Sequence, residues 1–303
     1  MVGVDMPRRT LLIAASICVL LPQTFCSGGA TSEQTPSKTP SRLVAHELRS
    51  QIFGNSRSLR VFVPPGYHAA ENRSRRYPVL YLNDGQNLFD ASTSVFNPVE
   101  WQVDETVTQL IAARRIPELI VVGVDNAGRR DRASEYLPYP DEYLHPPVPS
   151  PRGKAYPDFL IKEVMPFINQ HYKTQTGPQN TGVGGSSYGA VAALYAAMTR
   201  PGVFGRVLLE SPSLYISNER LLKESVGMSP STARLYVGIG TKETGGEAGD
   251  REAVELIKKF GDGLRRAGFD ERRLLVVIEE GGTHREDIWG RRLPRALEFL
   301  YRK

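Results

Sequence analysis

Residues 180–198 read NTGVGGSSYGAVAALYAAM. A short glycine-rich apolar run ends at Ser186 and an alanine-rich helical pattern starts at Tyr188, so Gly185, Ser186, Ser187, Tyr188 and Gly189 make a G-x-S-x-G match between a predicted strand and a predicted helix. Such a turn strains its central serine and projects the hydroxyl from the end of the sheet. The flanking glycines leave room for the neighbouring strand and helix. Ser187 is therefore the candidate nucleophile and Ser186 is not. The competing readings are a plain tight strand-to-helix connection and a glycine-rich phosphate-binding turn, which lacks a lysine at the required place and would crowd the phosphate against Tyr188.

A serine hydroxyl is a poor nucleophile near neutral pH and needs a base. Where a G-x-S-x-G elbow carries the nucleophile, the acid and the histidine follow it in chain order. Of His46, His68, His145, His171 and His284, only His284 does so; it lies in EEGGTHREDIWG, between a predicted strand and the C-terminal helix. The orienting acid is less narrowly fixed. After the apolar run RLYVGIG come Glu243, Glu247, Asp250 and Glu252, of which Glu243 lies nearest the strand end. Glu247, Asp250 and a plain Ser/His dyad remain alternatives. Acyl transfer also needs two N–H donors for the developing oxyanion. One is expected from Tyr188, directly after the nucleophile, and the other from Gln86, in YLNDGQNLFD, where Gly85 lets the backbone turn inward. A simple Asp-Gly turn at Asp84 and Gly85 is the alternative there.

Outward from the elbow, apolar runs alternate with helical patterns. Strands are predicted at 43–52, 57–63, 77–82, 118–124, 180–184, 205–210, 234–239 and 273–279, and helices at 101–113, 157–171, 188–200, 251–267 and 289–301. The first two strands carry alternating polar residues and suit an antiparallel edge, while the later ones are continuous Val, Leu and Ile, as in strands covered on both faces. This is an α/β pattern with a mostly parallel sheet. Residues 126–155 are rich in Pro, Tyr and Arg without periodicity and make a long loop, the kind of segment that shapes a binding site.

The whole chain of 303 residues carries 38 Lys and Arg against 33 Asp and Glu, with 40% hydrophobic and 23% charged residues. That is ordinary globular composition, and the surplus charge is spread out with no basic run longer than a few residues and no nucleic-acid motif. Nucleic acid is not an expected partner. Arg8 and Arg9, the apolar run from Leu11 to Leu21, and the small residues Ser27 to Ala30 form an export signal too short to span a membrane. We read residues 1–30 as the signal, cleaved after Ala30, residues 31–41 as a flexible linker, and 42–303 as one catalytic domain. Both cysteines, Cys18 and Cys26, fall in the signal, which leaves the mature chain without a thiol. Lipid attachment at Cys26 is the alternative, disfavoured by Phe25 before it. The expected location is periplasmic or extracellular.

Taken together, YPVLYLNDGQNLFD, WQVDETVTQLI, IVVGVDNAGRRDRASEYLPY, GVGGSSYGAVAALYAA, GTKE and GGTHREDIWGRRLPRALEFL resemble the "putative esterase" family, which includes ferric-enterobactin esterases, feruloyl esterases, S-formylglutathione hydrolase and the mycolyltransferases. The resemblance covers about residues 42–303. It implies an α/β-hydrolase fold: a mostly parallel central sheet of about eight strands, helices on both faces, and no large separate cap. It also implies Ser187 as nucleophile, His284 as base and Gln86 as oxyanion donor, and GTKE aligns with the element that carries the family's acid, supporting Glu243. In the siderophore-type members an arginine from the loop that ends in R-x-x-E-Y meets an anionic substrate. The resemblance thus implies Arg132, or Arg129 or Arg130, for that part here, and Arg132, Arg130 and Tyr136 are the candidate substrate-binding residues. Two departures are Ala190, where many relatives carry a second glycine, and Tyr188, where Met is common.

The expected activity is a secreted serine carboxylesterase working through an acyl-enzyme on a siderophore-type, feruloyl-type or acetyl ester, without cofactor or metal. An acyltransferase to a sugar or glycan acceptor would use the same residues. A non-catalytic ligand-binding relative would be expected to lack them.

Overall fold

Side chains along the central strands alternate between two packed faces, and that alternation builds the molecule. The computed structural model describes residues 43–302 apart from 96–97, 143 and 229–232. The export signal and linker read above lie outside the described residues. The described chain forms one eight-stranded sheet from β1 (Leu43–Arg49), β2 (Ser56–Phe62), β3 (Val79–Asn83), β4 (Ile120–Val124), β5 (Thr181–Ser186), β6 (Arg206–Glu210), β7 (Arg234–Lys242) and β8 (Leu274–Thr283). Their order across the sheet is β1-β2-β4-β3-β5-β6-β7-β8, antiparallel through the first three and parallel from β4 onward. This is the α/β-hydrolase fold expected from the sequence, with no separate cap among the described residues.

The helices are α1 (Val103–Ala112), the short α2 (Arg132–Tyr136), α3 (Tyr156–Phe159), α4 (Met165–His171), α5 (Tyr188–Thr199), α6 (Ile216–Ser225), α7 (Glu247–Arg266) and α8 (Glu286–Tyr301). Val79 and Tyr81 of β3 pack in one apolar core with α3, α5, α6 and α7, whereas Leu80 and Leu82 pack in the other with α1 and α8. β6 and β7 divide the same way, Leu208 and Tyr236 falling on the α1–α8 side. Continuous apolar strands therefore serve two cores at once, which is why their sequence shows no polar alternation.

Three departures from the sequence reading have local causes. The single helix expected over 157–171 is α3 and α4 joined by a wider π turn at Leu160–Val164. α6 is not apparent from the sequence, and its Ser217, Asn218 and Glu219 adopt left-handed dihedrals. Helix α7 starts four residues earlier than expected because Gly246, at its N-cap, is extended and the chain turns helical at once. Among the described residues no helix is long and apolar enough to cross a membrane.

Candidate active site

The turn between β5 and α5 carries Ser187 at φ 55° and ψ −125°, a region that costs a non-glycine residue about 1–3 kcal/mol. Its backbone is held there by the Ser187 N–H donating to the Glu210 carbonyl of β6 at 2.9 Å. The two elbow glycines have no room for a side chain. A Cβ on Gly185 would stand 2.9 Å from both Asn83 Cβ and the Gly189 carbonyl carbon, and one on Gly189 would stand 2.8 Å from Asp84 Oδ2.

His284 follows β8 directly, and Glu243 follows β7, its parallel neighbour, so sheet pairing brings together residues 41 positions apart. His284 Nδ1 lies 2.6 Å from Glu243 Oε2. The other oxygen, Oε1, accepts from the Gly240 N–H at 2.7 Å and from the Ser211 hydroxyl at 2.8 Å. Burial alone would raise the Glu243 pKa, but the hydrogen bonds from His284, Gly240 and Ser211 together with the His284 charge outweigh it and hold the carboxyl below its usual value. The alternative acids are placed elsewhere. Asp250 accepts from the backbone and hydroxyl of Thr244, at 2.7 and 2.9 Å, and Glu247 is an exposed partner of Arg251.

Ser187, His284 and Glu243 line one cleft of about 340 Å³, walled by Leu214, Tyr215, Ile239 and Leu256. A second concavity, of about 320 Å³, also touches Ser187 and His284 and is bounded by Asn87, Arg132, Glu286 and Trp289. Ser187 Oγ rests 3.5 Å from Ser213 Oγ, and among the described residues no hydrogen bond joins it to His284. Nucleophile–base bonds are often loose in unliganded sites and tighten when substrate is bound.

Gln86 is buried on the turn that follows β3, which packs against the start of α5 through an Asn83 Nδ2 bond to the Gly189 carbonyl at 2.7 Å. Among the described residues neither the Gln86 nor the Tyr188 backbone N–H makes a hydrogen bond, so both are available donors. The Tyr188 ring sits half-buried beside the serine. Its hydroxyl pKa is pushed up to about 12, chiefly by burial and then by Tyr215.

The three loop candidates occupy different settings. Tyr136 is only 2% exposed and accepts a hydrogen bond from the Asp84 N–H at 3.1 Å. Arg132 borders the cleft, but its guanidinium is bound by two 2.8 Å contacts to Asp84. Arg130 is exposed and lines a neighbouring concavity of about 480 Å³ with Arg129, Leu144, His145 and Tyr188. Two residues escaped sequence reasoning. Ser211, at φ 43°, gives its hydroxyl to Glu243 and accepts from Trp289 Nε1 at 2.9 Å, and the Trp289 ring stands edge-on to His284 at 4.9 Å. The only sequence signal was their position, one just after a strand end and one five residues past the histidine. No group of three or more His, Cys, Asp or Glu among the described residues is placed to hold a metal ion.

Residues 50–300 match a family model described as "Putative esterase". The uncharacterized protein YbbA of Bacillus subtilis is 26% identical over 257 residues, 84% of this chain and 96% of that protein. A siderophore enterobactin esterase of Emericella nidulans is 29% identical over 220 residues, 66% of this chain and 68% of that one. Among solved structures, an IroE-like serine hydrolase from Shewanella oneidensis superposes with a TM-score of 0.66 at 22% identity, over 86% of this chain and 80% of the other.

Proposed function

The chain belongs to the "putative esterase" family and is a carboxylic-ester hydrolase; from that premise we propose that it works as a serine esterase through an acyl-enzyme, with Ser187, His284 and Glu243 as its triad. The observation that carries this reading is the shared cleft. A strained serine at a strand-to-helix elbow and an imidazole held by a buried carboxylate open onto the same cavity.

In this mechanism Ser187 Oγ attacks the ester carbonyl carbon while its proton passes to His284 Nε2. The carbonyl oxygen becomes an oxyanion held by the Gln86 and Tyr188 N–H groups, each worth about 3 kcal/mol in the transition state. Collapse breaks the C–O bond to the alcohol, which leaves with the proton from His284. Water then attacks the acyl carbon, His284 again takes a proton, and the acid departs as Ser187 recovers its own. Glu243 accepts from Nδ1 throughout, which keeps Nε2 free to act as base and stabilises the imidazolium.

The apolar walls of the cleft, Leu214, Tyr215, Ile239 and Leu256, suit an aromatic or short aliphatic acyl group. The substrate is a small-molecule ester of the siderophore, feruloyl or acetyl type, a choice supported by the enterobactin esterase among the relatives. Arg130, exposed in the concavity that Tyr188 also lines, is our candidate to meet an anionic part of it. The Arg8–Arg9 and Leu11–Leu21 pattern supports export from the cytoplasm. The test is a panel of a catecholate trilactone, a feruloyl ester, an acetylated sugar and p-nitrophenyl butyrate, assayed with the purified protein and with Ser187→Ala. Cleavage of at least one ester by the parent and of none by the variant is expected. Equal rates with both proteins would overturn the proposal.

A further inference from the structure

The acidic residue at the start of the oxyanion turn and the arginine of the long loop form a closed pair beside the nucleophile. Asp84 is 3% exposed and adopts the left-handed conformation, φ 58° and ψ 47°, without being glycine. Its Oδ1 accepts from Arg132 Nε at 2.8 Å and from Asn126 Nδ2 at 2.6 Å, and its Oδ2 accepts from Arg132 Nη2 at 2.8 Å. The guanidinium lies between two rings, 5.4 Å from the centre of Tyr136 and 5.3 Å from that of Tyr188. Asn126 ties the arrangement to the predicted oxyanion donor, because its own N–H donates to Gln86 Oε1 at 3.2 Å. On the far side the turn meets β4, where a Cβ on Gly85 would stand 2.5 Å from the Gly123 carbonyl carbon.

We propose that Arg132 and Asp84 are positioning residues which hold the Gln86 turn against the first turn of α5, so that the two oxyanion donors keep a fixed spacing, and that Arg132 does not serve as the anchor for substrate charge. The inference rests on the acyl-enzyme reading above. Its physical basis is twofold. A bidentate arginine–carboxylate fork fixes orientation as well as distance, and here it ties the loop after β4 to the turn after β3. The positive charge is also already met by a buried carboxylate, so an incoming anion would find it largely neutralised by Asp84. A left-handed aspartate persists only where its surroundings over-determine it, and Arg132, Asn126 and Tyr136 supply that determination.

The experiment measures kcat and KM for a neutral ester, p-nitrophenyl butyrate, and an anionic one, mono-p-nitrophenyl glutarate, together with inhibition by butylboronic acid, which forms a tetrahedral adduct on serine. Arg132→Gln is expected to lower kcat on both esters by about 30–100-fold, with KM within about threefold, and to weaken the boronate by a similar factor. Arg132→Lys keeps the charge but loses the fork. It should keep the parent's melting temperature within a few degrees and still lose about tenfold in kcat on both esters, which decides the matter if the glutamine variant fails to fold. Adding Asp84→Asn to Arg132→Gln should recover part of the loss, since no unpaired buried charge remains. Full kcat on the neutral ester in both Arg132 variants, with KM raised only for the anionic one, would overturn the proposal. A parent enzyme that cleaves neither ester and binds no boronate would instead overturn the acyl-enzyme reading.

Discussion

His284 is bound to Glu243 by a 2.6 Å contact from Nδ1 to Oε2, and the carboxylate that receives it is 4% exposed and fixed at its other oxygen by Ser211 and Gly240. An ionised carboxylate can only accept, so Nδ1 carries a proton and, in the neutral imidazole, Nε2 presents its lone pair. The tautomer a general base needs is therefore set by the end of β7.

Glu243→Gln should remove that control. The amide can turn its NH2 toward Nδ1 and select the wrong tautomer, and kcat on an activated ester is expected to fall on the order of 10³–10⁴ with KM within a few-fold. Steady-state kinetics at neutral pH check this. A loss below about tenfold would assign the acid elsewhere.

The same carboxylate gives a pH signature in stability. The Glu243 pKa is lowered in the folded protein from its ordinary 4.5, so the folded state binds the proton less readily than the unfolded chain. Its stabilising contribution is then complete above 4.5 and is lost as pH falls through the folded value. Melting temperatures of the parent and Glu243→Gln, followed from about pH 5.5 down to about pH 3, should converge toward acid. A constant gap would contradict the assignment.

Ser211→Ala takes one donor from Glu243 Oε1 and leaves Trp289 Nε1 without its acceptor. A hydrogen bond to a charged group contributes about 1.5–3 kcal/mol, which for a domain of this size is a drop of roughly 3–6 °C in melting temperature. Because the carboxylate also loosens, kcat/KM should fall by about tenfold. Thermal melts and ester kinetics on one preparation test both.

Gly240→Ala attacks the site through its backbone. The added Cβ would stand 2.1 Å from the Gly282 carbonyl oxygen, two residues before His284. Since backbone cannot rotate aside, β7 and β8 must part, at about 1–3 kcal/mol, and the imidazole moves away from Glu243. Gly246→Ala, with nothing within 4 Å of the new methyl, is the control and should keep nearly full kcat.

Much of this was legible in the sequence because the central strands are apolar on both faces and the elbow glycines have steric reasons to be glycine. Ser187, His284 and Glu243 each sit at a strand end, where a linear reading can place them. Ser211 and Trp289 were not legible, because their hydrogen bond joins residues 78 positions apart and neither belongs to a motif. Arg132 was noticed as a candidate for substrate charge, without its partner. Its charge looks free in the sequence, and only the fold shows Asp84, 48 positions earlier, already holding it. α6 hid for a local reason, since it opens with three left-handed residues that no helical pattern announces.

The most direct test of the triad is covalent. The protein is treated with a fluorophosphonate, its intact mass is measured, and the adduct is located by peptide mapping. One label per chain on Ser187 is predicted, absent from Ser187→Ala and slowed at least about 100-fold in His284→Ala. A label on any other residue, or an unlabelled protein that still hydrolyses p-nitrophenyl butyrate, would contradict the account.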